Sequence, residues 1–316
     1  MYLVTGGAGF IGSNLVQALL AAGRRVRVLD NFLTGKRENL AGLAEAHGDA
    51  YELVEGDLRD IAVTRRAVEG AEYVLHQGAL PSVPRSVADP ILSNEINVGG
   101  TLSLLVAARD AGVKRVVYAA SSSAYGDTPE LPKRESMAAN PKSPYAVQKL
   151  TGERYMRIFH EVYGLETISL RYFNVFGPKQ DPSSTYAAVI PRFITAVLSG
   201  ESPTIYGDGL QTRDFTYIEN VVRANILACD APREACGKVI NIACEERISL
   251  LDVLEVLYGL AGRRLSPRFE PARAGDVRDS LADISLAKDL LGYKPSVSFS
   301  EGLSRTFTYF HEGGRS

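Results

Sequence analysis

The chain has 316 residues, of which 45% are hydrophobic and 23% charged, and its formal net charge at pH 7 is −2. This size and composition are typical of a soluble globular protein with one large domain or two unequal ones. No dense block of lysine and arginine stands out, which argues against nucleic acid as a partner. Three cysteines without CxxC spacing, Cys229, Cys236 and Cys244, predict neither a disulfide framework nor a metal site.

The amino-terminal segment MYLVTGGAGFIG has no basic region, and glycines interrupt its apolar run at once. It is therefore predicted to be a strand that opens a domain rather than a signal peptide. No apolar run approaches the roughly 18–20 residues that span a bilayer. We expect a cytoplasmic protein that does not enter a membrane.

Short β-branched runs alternate with helical patterns through the first half of the chain. Strands are predicted at 2–5, 25–30, 51–57, 72–79, 115–122 and 166–174, and helices at about 11–22, 94–111 and 145–163. This alternation favours an α/β fold with a doubly wound parallel Rossmann sheet. Ligands of such sheets bind beyond the carboxyl ends of the strands.

After about residue 174, loops rich in proline, glycine and aspartate separate shorter elements. Helices are predicted at 190–199, 219–230, 249–261 and 300–310, with Ser249 and Ser300 as candidate N-caps. We therefore expect a Rossmann domain over 1–173 and a smaller C-terminal α/β substrate-binding lobe over 174–316. The segment near 214–243 is expected to return to the first domain.

The motif TGGAGFIG places Gly6, Gly9 and Gly12 between a predicted strand and a predicted helix. Glycines there permit a tight turn and let backbone N–H groups approach a pyrophosphate. Asp30 ends the second strand, where a carboxylate can accept both hydroxyls of an adenosine ribose and would repel a 2′-phosphate. Asp57 closes the third strand and is expected near the adenine. The pattern favours NAD over NADP, although Arg37 on the following loop could oppose this.

The stretch SPYAVQK places Tyr145 four residues before Lys149, so both side chains lie on one helix face. A nearby ammonium favours the phenolate and would lower the pKa of the tyrosine, making it usable as a proton acceptor. The alternative is an ordinary amphipathic helix, whose tyrosine packs inward while its lysine extends to water.

Together, TGGAGFIG, Asp30, Asp57, AASSSAYG, YAVQK and LRYFNVFG resemble the extended short-chain dehydrogenase/reductase family. The chain is most similar there to UDP-hexose 4-epimerases that act on N-acetylated sugars. The resemblance implies that Tyr145 is the acid/base, that Lys149 holds the nicotinamide ribose, and that Ser121 supplies the catalytic hydroxyl, with Ser122 as runner-up. It also implies further NAD contacts from Phe10, Ile11, Asn31, Thr34, Gly35, Leu58, Gln77, Ala79, Asn97 and Phe173.

The same resemblance implies a site for a UDP-sugar. Arg213 and Arg273 match diphosphate-binding arginines, and Asp276 matches a ribose-binding carboxylate. Each arginine could equally form an exposed salt bridge. The strand Thr204, Ile205, Tyr206 is expected against the uracil and Asn174 against the diphosphate. The remaining implied substrate contacts are Pro81, Ser82, Ala188, Val189 and Ser280, of which Pro81 departs from the glycine or lysine typical of the family.

In the resembling enzymes, hydride passes from a sugar carbon to NAD while the tyrosine takes the hydroxyl proton. Related dehydratases carry an Asp-Glu pair where this chain has Ser122 and Ser123, so elimination is not expected. Ser280 stands where glucose-only relatives carry a bulky tyrosine, which leaves room for an N-acetyl group. The sequence therefore predicts interconversion of UDP-GlcNAc and UDP-GalNAc, and of UDP-glucose and UDP-galactose.

Two other interpretations of the protein's function remain open. A UDP-uronic acid or UDP-pentose 4-epimerase would share the fold and cofactor, and a non-catalytic NAD sensor would share the fold alone. The resemblance also suggests a homodimer formed through the helices at 94–111 and 145–163. The apolar faces of those helices could equally belong to the core.

Overall fold

The computed structural model describes residues 1–182, 188–272 and 278–313. A seven-stranded parallel sheet organises this part of the chain, which confirms the predicted doubly wound α/β fold. The strands, in spatial order, are β11 (Val239–Ile242), β6 (Glu166–Tyr172), β5 (Arg115–Ser121), β4 (Tyr73–His76), β1 (Tyr2–Thr5), β2 (Val26–Asp30) and β3 (Tyr51–Glu55).

Helices cover both faces of the sheet and enclose two clusters of buried apolar side chains. Those of the first half are α1 (Phe10–Ala21), α2 (Leu43–His47), α3 (Ile61–Val68), α4 (Val83–Ala88), α5 (Pro90–Asn94), α6 (Thr101–Asp110) and α7 (Pro144–Tyr163). Those of the second half are α8 (Val189–Ser199), α9 (Ile218–Asp230), α10 (Leu250–Ala261), α11 (Ser285–Leu291) and α12 (Phe299–His311).

Short strands build the remainder of the second half. β7 (Val175–Phe176) pairs with β10 (Thr216–Tyr217), β8 (Thr204–Tyr206) with β13 (Arg268–Glu270), and β9 (Thr212–Arg213) with β12 (Ile248–Ser249). The segment predicted to return to the Rossmann domain contains β11, the edge strand of the main sheet. Where one domain ends and the other begins stays a prediction.

Helix caps show where local sequence rules hold and where packing decides. Ser249 caps α10 through a capping box, because its hydroxyl accepts the N–H of Asp252 and the Asp252 carboxylate accepts the N–H of Ser249. The prediction of Ser300 as a cap is wrong. α12 begins at Phe299, one residue before the predicted start, and Ser298 accepts the N–H of Glu301 at 3.3 Å.

The predicted helix over 94–111 is the second part of a longer helical stretch over 90–110, interrupted by a π-helical turn at Glu95–Gly100. By length and composition alone this stretch could cross a membrane, with a mean hydropathy of 1.3. Half of it is buried, however, and Leu104 and Leu105 lie fully inside the core beneath the sheet. That placement is typical of a core helix in a globular protein.

Candidate active site

The glycine-rich turn after β1 is shaped by two close approaches. Gly6 has a left-handed φ of +67°, and a Cβ there would lie 2.7 Å from the Cα of Gly78. A Cβ on Gly12 would lie 2.1 Å from the carbonyl oxygen of Gly6. Only glycine fits either position, so α1 begins directly against the end of β1. Gly9 caps α1 without a side chain, which leaves backbone N–H groups facing outward for an anion.

Two carboxylates lie beyond the next two strands. The Asp30 carboxylate accepts the N–H of Ala8 at 2.9 Å and that of Phe32 at 2.8 Å, which fixes it beside the glycine-rich turn. Burial raises the pKa of Asp30, and these two hydrogen bonds oppose the shift. Asp57 pairs with Arg59 at 2.8 Å and accepts from Asn31 at 2.8 Å. The Arg59 side chain is the main cause that lowers the pKa of Asp57 to about 2.

These residues line a cavity of about 440 Å³ along the carboxyl ends of the strands. Its wall includes most of the predicted cofactor contacts: Gly6, Gly9, Phe10, Ile11, Gly12, Asp30, Asn31, Thr34, Gly35, Asp57, Leu58, Gln77, Ala79, Tyr145 and Lys149. The glycine-rich turn, the carboxylate that ends β2 and the reach of the cavity from Asp57 to Lys149 fit a dinucleotide.

Two predicted cofactor contacts do not line this cavity. Phe173 follows β6, is 1% exposed, and packs against Tyr125 in the core, because its side chain turns inward where the strand ends. Asn97 is buried in the π-helical turn, a feature common near functional sites. Its amide accepts the N–H of Leu80 at 2.7 Å and donates to Gln148 at 2.8 Å. Asn97 therefore supports the cavity wall from behind.

Tyr145 and Lys149 lie on the first two turns of α7, which Ser143 caps and Pro144 begins. The Tyr145 N–H donates to the Ser86 hydroxyl at 3.0 Å, which ties this helix start to α4. The Lys149 ammonium donates to the Ala119 carbonyl at 2.8 Å and lies 4.9 Å from the centre of the Tyr118 ring. Lys149 is buried, so the alternative of a lysine extending to water is wrong.

The Tyr145 hydroxyl is hydrogen-bonded to Ser121, the last residue of β5. The prediction that Lys149 lowers the pKa of Tyr145 is wrong. Burial raises the pKa of Tyr145 to about 12, and the Ser121 hydrogen bond opposes this shift. Burial also lowers the pKa of Lys149 to about 8. The phenol is thus neutral until charge brought by a ligand stabilises its oxyanion.

Of the three serines in AASSSAYG, Ser121 is the one bonded to the tyrosine. The Ser123 hydroxyl donates to the Ser121 oxygen at 2.8 Å and its N–H does so at 3.2 Å, so both orient Ser121. Ser122 begins the following 3₁₀ turn and is half-buried. Ser121 and Ser122 are not part of the cavity wall, which ends at Ala119 and Ala120 of the same strand.

A second cavity of about 260 Å³ lies in the C-terminal half. Six predicted substrate contacts line it: Asn174, Ala188, Val189, Thr204, Tyr206 and Arg213. Ala188 also lines the first cavity, as do the predicted contacts Pro81 and Ser82, so the two cavities adjoin at Ala188. Together they form one long cleft with the dinucleotide features at one end.

The other predicted substrate contacts have mixed outcomes. Ile205 is fully buried and does not line the cavity, because side chains alternate along β8 and only Thr204 and Tyr206 face outward. Ser280 is half-buried, and its N–H donates to the Thr212 carbonyl beside Arg213 at 3.1 Å. Arg273 and Asp276 lie outside the described residues.

Sequence reasoning missed several residues of the cleft. Arg192 on α8 lines the second cavity, 5.6 Å from the centre of the Tyr206 ring, and Arg85 and Lys179 line the first. Buried His76 bonds Thr5 at 2.7 Å and Thr101 at 2.9 Å, and burial lowers its pKa to about 3, so it is a neutral structural group. A cationic residue in a loop or helix has no motif of its own, which is why sequence reasoning had no signal for Arg85, Lys179 and Arg192.

The Rossmann sheet, the glycine-rich turn and the Ser121–Tyr145–Lys149 set define a dinucleotide-dependent enzyme of the short-chain dehydrogenase type. Comparison with known proteins makes this specific. Residues 2–243 match the model of the NAD dependent epimerase/dehydratase family, and the chain belongs to that family. It is an enzyme of the UDP-sugar 4-epimerase group within it, and its cofactor is NAD.

Three relatives show the range of this group. UDP-glucose 4-epimerase of Mycolicibacterium smegmatis is 39% identical over 98% of this chain and 97% of its own length. UDP-N-acetylglucosamine 4-epimerase from Methanobrevibacter ruminantium M1, solved with UDP-N-acetylmuramic acid, is 41% identical, with a TM-score of 0.93 over 99% of this chain and 98% of its own. A Bacillus cereus UDP-glucuronic acid 4-epimerase, solved with a fluorinated UDP-sugar and NAD, is 33% identical, with a TM-score of 0.91 over 98% and 99%.

Proposed function

We propose that this enzyme interconverts UDP-GlcNAc and UDP-GalNAc, and also UDP-glucose and UDP-galactose, through a transient 4-keto sugar. The observation that carries the proposal is the cleft itself. A dinucleotide cavity containing Tyr145 and Lys149 adjoins, at Ala188, a second cavity that contains Arg213. A guanidinium suits a diphosphate, and a sugar attached to it would extend toward the catalytic residues.

The residues around the cofactor have distinct parts in this reaction. Bound NAD supplies the chemistry of accepting a hydride from the sugar and returning it. Tyr145, as the phenolate, takes the proton of the C4 hydroxyl, and the Ser121 hydrogen bond favours that charged form. Lys149, held against the Ala119 carbonyl, provides a fixed positive charge on the same side of the site. When the ketone presents its other face, Tyr145 returns the proton.

The N-acetyl specificity rests on Ser280. Its small side chain lies on the segment that is bonded to Thr212, next to Arg213. Resembling glucose-only enzymes carry a tyrosine at this position, and its bulk would compete there with a substituent at C2 of the sugar. Ser280→Tyr is therefore expected to suppress turnover of the N-acetylated pair while sparing UDP-glucose. Ser285→Tyr, at an exposed position at the start of α11, is the matched control and should change neither.

The deciding experiment is product analysis with UDP-GlcNAc, UDP-GalNAc, UDP-glucose and UDP-galactose, using enzyme as purified and without added NAD. Turnover of the acetylated pair is expected. If only the non-acetylated pair reacts, the acetylated specificity is wrong and the epimerase assignment stands. If Ser280→Tyr reduces both pairs equally, Ser280 does not act as a size gate.

A UDP-uronic acid 4-epimerase is the second candidate. The specific observation in its favour is Arg85, which lines the first cavity together with Pro81 and Ser82 and could pair with a sugar carboxylate. UDP-glucuronic acid and a UDP-pentose therefore belong in the same substrate panel. Preferential turnover of the uronic acid would replace the proposal above.

We also propose that the protein is a cytoplasmic homodimer. The support is a stripe of exposed apolar residues on α7, namely Val147, Ile158 and Val162, which are 49%, 45% and 63% exposed. Val87 and Ile91 on α4 and α5, which pack beside α7, are 63% and 72% exposed. Several exposed apolar residues on neighbouring helices are typical of a protein–protein interface.

A further inference from the structure

The segment over 177–182, GPKQDP, crosses the cofactor cavity just after β7. Lys179, Gln180 and Asp181 line the wall of that cavity together with the glycine-rich turn. Contacts with several elements hold the segment in place. The Asn14 amide donates to the Pro178 carbonyl at 3.3 Å, Lys36 pairs with Asp181 at 3.2 Å, and the Lys179 backbone is hydrogen-bonded to the Tyr309 hydroxyl of α12.

Lys179 has an unusual backbone conformation for a residue with a long side chain. Its φ is +68°, in the left-handed region, which is unfavourable for a residue other than glycine. Non-glycine residues in this region cluster at functional sites, where the surroundings hold them. Here the conformation directs the side chain into the cavity, and the Lys179 ammonium donates to the Asn39 carbonyl at 3.1 Å.

That contact lies next to the glycine-rich turn, because the Asn39 amide donates to the Ala8 carbonyl at 2.8 Å. An ammonium has three donors, and the Asn39 carbonyl accepts one of them. Burial lowers the pKa of Lys179 to about 8, since a carbonyl compensates a buried cation less than an anion would. Beside it, the buried Gln180 Oε1 has no hydrogen-bond partner among the described residues.

Lys179 differs from the other cationic residues of the cavity wall in its position and its partners. Lys149 lies at the catalytic end, where it contacts Ala119, and Arg85 lies with Pro81 and Ser82. Lys36 is half-exposed and paired with the Asp181 carboxylate. Lys179 is thus a half-buried cation beside the turn whose backbone N–H groups face outward.

We propose that Lys179 binds the diphosphate of NAD next to the glycine-rich turn, so that a residue from the segment leading into the substrate lobe keeps the cofactor from dissociating. The backbone N–H groups of the turn carry no net charge. The Lys179 ammonium would add a full positive charge beside them and gain an anionic partner in return. The inference rests on the cofactor, and it holds whichever sugar the enzyme uses.

The test is retention of NAD by full-length variants. Enzyme with Lys179→Met is purified, its NAD content per chain is measured after denaturation, and NAD release is followed with an excess of a trapping dehydrogenase. Loss of a charge-assisted hydrogen bond predicts release at least about tenfold faster and a lower NAD content. Lys179→Arg, which keeps the charge, should retain most of the cofactor.

Lys142→Met is the matched control, because Lys142 is an exposed lysine paired with Asp127 and is not part of the cavity wall. It should retain NAD as the wild type does. If Lys179→Met does not fold, Lys179→Asn replaces it, since asparagine tolerates the left-handed conformation. Unchanged NAD release in the charge-removing variant overturns the proposal. If the KM for the UDP-sugar is raised in that case, Lys179 contacts the substrate instead of the cofactor.

Discussion

Burial, more than charge, controls the titration of the catalytic residues. Tyr145 is half-buried in the cavity wall and Lys149 is buried, and both pKa values shift in the direction that favours the neutral side chain, to about 12 and about 8. Each shift disfavours a charged side chain in a poorly hydrated site. A positive charge on a bound ligand must therefore stabilise the phenolate before Tyr145 can give up its proton near neutral pH.

Tyr145→Phe tests the acid/base role directly. Removal of the hydroxyl eliminates proton transfer, which in enzymes contributes a factor of about 10²–10⁴. We expect kcat to fall by that order while NAD remains bound. Tyr155→Phe on the same helix is the matched control, because Tyr155 packs against the core and not in the cleft. Full turnover by Tyr145→Phe would exclude the proposed role.

The lowered pKa of Lys149 predicts how the free energy of unfolding depends on pH. A lysine in the unfolded chain has a pKa of about 10.4, and burial lowers the pKa of Lys149 to about 8 in the folded chain. The folded state therefore disfavours the ammonium, and this penalty is present below pH 8 and disappears as the pH rises toward about 10.4. In NAD-stripped protein, the stability of the wild type relative to Lys149→Met should rise across this window, by up to about 3 kcal/mol.

Urea unfolding of both proteins at pH 7 and at pH 10 measures that difference. Lys142→Met serves again as the control, because an exposed lysine should give the same stability difference at both pH values. A stability difference between wild type and Lys149→Met that does not change with pH would contradict the shifted pKa.

Caps and strand ends decide how single elements present their residues. α7 begins at Pro144 because Ser143 satisfies its first N–H groups, and this start places Tyr145 against Ser86 of α4. The π-helical turn plays a similar part, since it brings Asn97 to Leu80 and Gln148 at once. The active site is thus assembled at element ends rather than in element interiors.

Two serines at the start of α12 allow a direct test of cap assignment. Ser298 accepts the N–H of Glu301, whereas Ser300 is exposed inside the helix. Ser298→Ala should lower the free energy of unfolding by about 1 kcal/mol. Ser300→Ala should change it by less than about 0.5 kcal/mol. Chemical denaturation of the two variants distinguishes them, and equal effects would contradict the cap seen here.

At the scale of the whole molecule, buried polar contacts join the C-terminal segments to the ends of β6 and β11 in the main sheet. Asp214 is fully buried and accepts the N–H of Cys244 at 2.9 Å and that of Ala282 at 3.1 Å, and burial raises its pKa to about 6. The Asn174 amide donates to the Asp214 carbonyl at 3.2 Å. The second cavity is therefore held in a fixed position relative to the sheet.

The proposed dimer is tested at the same scale. Ile158→Glu combined with Val162→Glu places two charges on the exposed apolar stripe of α7 and should convert a dimer to a monomer. Light scattering after gel filtration measures the mass. Phe269→Glu, at an exposed apolar position on β13, is the matched control and should leave the dimer intact. A monomeric wild type would refute the proposal.

Local chemistry was enough to predict the parts of the molecule that a short motif encodes. The glycine spacing in TGGAGFIG, the carboxylate that ends β2 and the YxxxK spacing each impose a structure within a few residues, and all of them meet at one cavity. The order of strands and helices likewise predicted the parallel sheet, because alternation along the chain permits few topologies.

Tertiary structure alone decided what depends on distant neighbours. Phe173 and Ile205 face the core because of the strands that they adjoin, and Ser298 rather than Ser300 caps α12 because packing sets where that helix begins. The raised pKa of Tyr145 and the entry of Lys179 into the cofactor cavity follow from burial and from a left-handed backbone. Such properties arise from contacts between residues far apart in sequence, which no local pattern specifies.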